Sequence, residues 1–164
     1  MAVEDKFINA DVAAGKLGAA SKVTGSEKYG ISATFEVAAA DDDLSVYRIA
    51  RLPANAVVTS ILVNSDVITA ATDYDIGLYV GGVGGAAKDA DVYADGLDIS
   101  SGAALGSEVN GLAAPAIEDI VKPVYILAGD TISTKNETYD LAVTANTVGS
   151  LAGTVTLRVE WIQG

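Results

Sequence analysis

The residues of this chain with most to offer chemistry are carboxylates. Lys88-Asp89-Ala90-Asp91-Val92-Tyr93-Ala94-Asp95-Gly96-Leu97-Asp98 is the densest run of them, and a hard cation such as calcium takes several oxygen ligands of this kind. The spacing does not make an EF-hand. Counted from Asp91, the third position is Tyr93 and the twelfth is Gly102, where that loop needs an oxygen ligand and a bidentate Glu. The two readings are an irregular calcium loop and a solvated acidic loop, and the second is favoured. Asp41-Asp42-Asp43 and Asp73-Tyr74-Asp75 are weighed the same way, because acids beside strands commonly form turns or guard edges. No metal and no other cofactor is expected.

Two carboxylates across a cleft also hydrolyse glycosides, but sugar sites favour aromatic platforms, and the chain has one Trp (Trp161) and two Phe (Phe7, Phe35). A serine nucleophile would lack its base, since there is no His, and no Gly-x-Ser-x-Gly elbow occurs. The absence of Cys and His also removes thiol nucleophiles, disulfides and the usual zinc, haem and iron–sulfur ligand sets. Gly81-Gly82-Val83-Gly84-Gly85 has the look of a phosphate loop, yet Ala86-Ala87-Lys88 follows where a P-loop ends in Gly-Lys-Ser/Thr. It reads as a turn. No catalytic set is assembled, and the chain is expected not to be an enzyme.

Charge narrows the partners. The 164 residues carry a net charge of -12 and a sequence pI near 4.1, whereas phosphate backbones call for clustered Lys and Arg. Nucleic acid is set aside. A membrane is set aside too, because no apolar run approaches the ~18–20 residues of a spanning helix. The opening Met1-Ala-Val-Glu-Asp-Lys lacks the basic-then-apolar layout of a signal peptide, so synthesis in the cytoplasm is expected. The first 30 residues are electrically neutral, with Lys6, Lys16, Lys22 and Lys28 balancing Glu4, Asp5, Asp11 and Glu27. These lysines are the basic cluster of the chain and candidates for contact with a partner. Arg48, Arg51 and Arg158 fall on predicted strands. The plain reading is surface ion pairing, and the functional one is that Arg48 or Arg51 bridges subunits of an oligomer.

The elements that must position these groups are strands. Residues 1–30 keep no sustained period of 2 or 3.6 and read as an extended N-terminal arm, docked on its own domain, a sister subunit or a partner. From Ile31 a sandwich domain running to residue 164 begins. Ile31, Ala33, Phe35 and Val37 share one face. In Leu44–Leu52, Arg48 and Arg51 fall on opposite faces, and Pro53-Ala54-Asn55-Ala56 turns the chain into Val57–Asn64, a candidate neighbour in the same sheet. Tyr74–Val80, Val121–Leu127, Thr131–Thr134, Tyr139–Thr144 and Gly153–Ile162 read as further strands, with a short helix near Ala86–Tyr93. Eight or so short strands parted by turns predict an all-β, antiparallel β-sandwich, jelly-roll-like, with an immunoglobulin-like sandwich as runner-up.

One stretch is familiar as a layout. Tyr47-Arg48-Ile49-Ala50-Arg51-Leu52-Pro53-Ala54-Asn55-Ala56-Val57-Val58, followed by Asp66-Val67-Ile68-Thr69-Ala70-Ala71-Thr72-Asp73-Tyr74-Asp75-Ile76-Gly77-Leu78-Tyr79, resembles small structural proteins of tailed bacteriophages, among them head decoration (cement) proteins. The resemblance implies a β-sandwich on the outer surface of the virion capsid. It would sit there as a homotrimer, tying together neighbouring copies of the major capsid protein. Under it, Lys6, Lys16, Lys22, Lys28, Arg48 and Arg51 become candidate partner contacts. Two other functions compete: a phage tail, fibre or appendage domain that binds a host surface, and a carbohydrate-binding module presenting Tyr74, Tyr79 or Tyr93. No collagen-like or coiled-coil repeat of a fibre is visible.

Overall fold

Nine strands and one turn of helix make up the computed structural model, which describes residues 5–7, 28–131 and 138–163. In chain order they are β1 (Asp5–Phe7), β2 (Lys28–Val37), β3 (Ser45–Pro53), β4 (Ala56–Ser65), β5 (Asp73–Val80), β6 (Ala87–Leu97), β7 (Val109–Asn110), α1 (Val124–Leu127), β8 (Thr138–Thr147) and β9 (Gly153–Gln163). One sheet has the order β1-β3-β8-β5-β6 and the other β2-β9-β4-β7. Every pairing is antiparallel except that of β1 with β3. The expected β-sandwich is what the chain forms.

Its core follows from alternation. Ile31, Ala33, Phe35 and Val37 of β2 and Val155, Leu157, Val159 and Trp161 of β9 point inward, with the polar residues between them on the outside. From the other sheet come Tyr47, Ile49 and Leu52 of β3, Ile76 and Leu78 of β5, and Leu141 and Val143 of β8, all buried. Each such side chain gains about 1.5–3 kcal/mol on leaving water. The Phe35 and Tyr47 rings stack at 4.5 Å, joining the sheets, and Tyr29 stacks on Trp161 at 5.9 Å.

Several expectations are corrected. Ala86–Tyr93 is no helix: its alanines favour one, but pairing with β5 and burial of Tyr93 and Ala94 draw the segment into strand β6. Val121–Leu127 is no strand. Pro123 caps the helical turn α1, whose Val124 is buried, and the Tyr125 N–H donates to the Ala54 carbonyl. β3 and β4 are not sheet neighbours; the turn between them carries the chain from one sheet to the other. Within the stretch read as an arm, Asp5–Phe7 is a strand and β2 already begins at Lys28. Residues 8–27 of that stretch and 132–134 of the predicted Thr131–Thr134 strand lie outside the described residues.

β6 reaches its place only because β5 has a glycine beneath it. A Cβ on Gly77 would lie 2.2 Å from both the Ala90 carbonyl carbon and the Asp89 carbonyl oxygen, backbone atoms that cannot swing aside. Gly77→Ala is therefore expected to destabilise by roughly 1–3 kcal/mol or more. A urea melt followed by fluorescence of Trp161 checks this, and an unchanged midpoint would refute the close approach.

Candidate functional site

Among the described residues a buried polar group gathers around Asp140, and a bulge in β3 creates it. Strict alternation would send Arg48 and Arg51 to opposite faces. In the structure Arg48 sits opposite Ala142, Ala50 opposite Leu141 and Arg51 opposite Asp140, so Ile49 is an extra residue that shifts the phase by one. Both guanidinium groups thereby meet one carboxylate on β8. Arg51 Nε donates to Asp140 Oδ1 at 2.8 Å and its terminal nitrogen to Oδ2 at 3.3 Å, while Arg48 donates to Oδ2 at 3.2 Å. Arg48 and Asp140 are both wholly buried.

The remaining valences of the group are met by the glycine turn. Arg48 donates to the Val80 carbonyl at 3.2 Å and the Gly85 carbonyl at 2.9 Å, and the Gly82 N–H donates to Asp140 Oδ2 at 2.7 Å. The Arg48 guanidinium carbon lies 5.2 Å from the centroid of the Tyr79 ring, whose hydroxyl is 2.6 Å from that of Thr144. Gly81–Gly85 thus serves the chain's own charges. A buried ion group of this kind holds its partners in one arrangement and offers no open coordination or reacting atom. Arg48, read from the sequence as a surface ion-pairing residue or a bridge between subunits, is buried in this chain against Asp140 and the Val80 and Gly85 carbonyls. Arg51 keeps 16% of its side chain exposed.

The acidic clusters are used locally as well. Asp41 accepts from the Tyr47 hydroxyl at 2.6 Å and the Ala38 N–H at 3.1 Å, and Asp43 accepts from the Val148 N–H at 3.0 Å. Asp75 accepts from Asn146 at 2.6 Å and the Gly96 N–H at 2.9 Å, with Asp73 on the same Asn146 amide. On β6, burial and the hydrogen bond to Asp91 raise the Asp89 carboxyl above its ordinary value. Asp130 is held below the usual carboxylate range by the Lys88 ammonium and the Tyr139 hydroxyl, each at 2.8 Å. The stability of that contact is present above the ordinary carboxylate value and is lost as pH falls through the lowered one. Among the described residues, no three carboxylates are grouped so as to hold a metal ion.

Of the lysines read as a cluster, Lys6 and Lys28 fall in described strands. Lys6 lies in β1 of the five-stranded sheet, while Lys28 opens β2 of the other and pairs with Glu160 at 2.5 Å. Lys16 and Lys22 fall outside the described residues. Arg158 pairs with Glu108 and reaches Asn64 at 3.4 Å. Tyr74, Tyr79 and Tyr93, the candidate sugar platforms, are all buried.

What the molecule does present is one end of the sandwich. The loops after β2, β4, β6 and β8 lie there: the Val148 N–H donates to Asp43, Ser65 pairs with Ala103, Ile99 donates to the Ala71 carbonyl, Ser150 to the Thr69 carbonyl, and Asp66 to the Thr154 carbonyl at the start of β9. Each carries an exposed aliphatic side chain: Leu44 (61%), Val67 (61%), Leu105 (82%) and Leu151 (53%). Leu44 and Ala70, at φ 70° and 66°, are the non-glycine residues held in the left-handed region among the described residues, and both lie in these loops. Backbone strain of that kind gathers at functional surfaces. Periodicity does not reveal this end, because each aliphatic is an isolated loop residue in sequence.

Comparison with known proteins gives a fold and little else. The chain aligns with one from the capsid of Ralstonia phage GP4 over 97% of its own length and 99% of the other's, at a TM-score of 0.63 and 16% sequence identity. A chain from the capsid asymmetric unit of cyanophage Pam1 aligns over 91% and 94%, at a TM-score of 0.47 and 18% identity, too loose to argue from. No protein-family model and no curated protein matches the chain.

Removing the central carboxylate tests the ion group. Asp140→Asn is expected to cost about 3–5 kcal/mol, because Arg48 is left buried without its counter-charge. Adding Arg48→Met removes the stranded charge, so the double variant is expected to melt above the single one. Equal melting temperatures for all three proteins would show the group to be energetically idle.

Proposed function

We propose that this chain is a non-enzymatic structural protein of a phage virion, and within the virion a decoration protein on the outer surface of the head that braces the major capsid protein lattice. The observation that carries the reading is the end-to-end fold match with a capsid chain of nearly the same length. The residue layout across Tyr47–Tyr79 supports it, as do Arg48, Asp41, Asp75 and Asp140, charged groups that hold this chain's own loops and strands. The order in which the chain steps between sheets, β2 and β9 with β4 and β7 against β3 and β8 with β5 and β6, supports the jelly-roll reading of the sandwich.

The mechanism is clamping by repetition. Weak contacts from each copy add up when identical copies engage a symmetric lattice at once. Residues 1–27 with Lys6, Lys16 and Lys22, joined by Lys28 and the exposed part of Arg51, form one contact of this proposal. The aliphatic loop tips Leu44, Val67, Leu105 and Leu151 form the other, since apolar groups left in water gain most by being covered. The resemblance suggests three copies per cluster, a number that counting copies per head determines.

Co-sedimentation with undecorated, expanded phage heads is the test. Saturable binding at a copy number set by the lattice symmetry sites is the expected result. Absence of binding, with the protein found in tails or on host cells, would favour an appendage that binds a host surface instead. Leu44→Asp with Leu151→Asp is expected to weaken head binding by tenfold or more without lowering the melting temperature. Deleting residues 1–27 is expected to weaken binding comparably, and unchanged binding would remove the arm from the clamp.

A further inference from the structure

Asn110-Gly111 is the one Asn-Gly pair in the sequence, and strand β7 ends on its asparagine. Asparagine before glycine carries a chemistry of its own. The glycine's backbone nitrogen, with no Cβ beside it, gives up its proton and attacks the side-chain carbonyl carbon of the asparagine. The bond from that carbon to the amide nitrogen breaks, and ammonia leaves with the proton. Water then opens the succinimide ring at either carbonyl, giving aspartate or isoaspartate. Water is the only co-reactant, and nothing is oxidised or reduced.

The folded chain holds both groups away from this reaction. The Gly111 N–H donates to the Ile61 carbonyl at 2.9 Å. The Leu112 N–H donates to Asn110 Oδ1 at 3.0 Å, and the Asn110 amide reaches the Leu112 carbonyl at 3.4 Å, so the side chain is folded over the next peptide. That hold is short. β7 pairs with β4 only as Val109 with Val63 and Asn110 with Leu62, and Asn110 itself is exposed. A segment with so few ladder bonds opens without global unfolding.

We propose that Asn110 is a site of spontaneous deamidation through the Gly111 nitrogen, gated by the opening of β7 from β4. The fold itself imposes the labile pair. A Cβ on Gly111 would lie 2.6 Å from Ile61 Cγ2 and 2.8 Å from Ile76 Cδ1, and a β-branched side chain such as Ile61 has little freedom to turn away. Glycine is the residue that fits. The same crowding gives the product a consequence, because isoaspartate adds a carbon to the main chain just before Gly111. The lengthened segment cannot keep Gly111 under those methyl groups and stay in register with β4. A reversible opening is thereby made permanent at the short edge of the four-stranded sheet. Glu108, beside β7, is paired with Arg158 of β9 and sets how often the gate opens. The inference is independent of whether the protein binds phage heads.

Incubation of the purified protein at mildly alkaline pH, followed by peptide mass spectrometry and enzymatic methylation of isoaspartate, tests it. The folded protein is expected to convert Asn110 ahead of Asn55, Asn64 and Asn146, at a rate tenfold or more below that of the same chain in urea. Glu108→Ala is expected to raise the folded-state rate severalfold and leave the rate in urea unchanged. Asn110→Gln, whose longer side chain closes the ring poorly, is expected to abolish conversion at this position, and the converted wild-type protein is expected to melt below the fresh one. Equal rates with and without urea would overturn the proposal by removing the gate. So would an Asn110 still intact in the folded protein of both the wild type and Glu108→Ala once the urea samples are fully converted.

Discussion

The five-stranded sheet depends on one buried carboxylate. Asp140 lies in the middle of the sheet on β8, takes hydrogen bonds from two arginines of β3 and from the backbone of the turn after β5, and is wholly out of water. A charge in that position is tolerated only when every lone pair is met. Meeting them imposes conditions elsewhere. β3 must bulge at Ile49 so that both arginines arrive on one face, and the Gly81–Gly85 turn must fold back so that its carbonyls receive Arg48. Tyr79 must lie under the guanidinium. The sheet's register and the conformation of its most glycine-rich loop are thus coupled through a single side chain.

Several other carboxylates accept hydrogen bonds within the fold: Asp41 from the Tyr47 hydroxyl, Asp75 from Asn146 and the Gly96 N–H, and Asp130 from Lys88 and Tyr139. The acidic side chains tie loops to strands. Four of the exposed aliphatic side chains, Leu44, Val67, Leu105 and Leu151, lie on the connections at one end of the sandwich, where Leu44 is held at positive φ and its N–H donates to the Ala145 carbonyl.

The sequence by itself determined the class of fold and much of the core. Period-2 alternation in Ile31–Val37 and Val155–Trp161 marks inward residues wherever a strand is regular, because only the pleat and burial decide them. It also excluded whole chemistries through the missing His and Cys. The Arg48–Asp140–Arg51 group was not legible: alternation holds only until a bulge, and nothing local at Ile49 announces one. The same limit applies to β6, where an alanine-rich stretch of helical preference becomes a strand through contacts with β5, and to Val121–Leu127, where β-branched residues close into a helical turn against Ala54. Sequence separation hid the loop end as well, since Leu44, Val67, Leu105 and Leu151 sit on four separate connections that only the topology brings to one end. Local preferences are decided by adjacent residues, whereas bulges, strand crossings and loop platforms are decided by partners dozens of residues away, and only the folded chain brings those partners together.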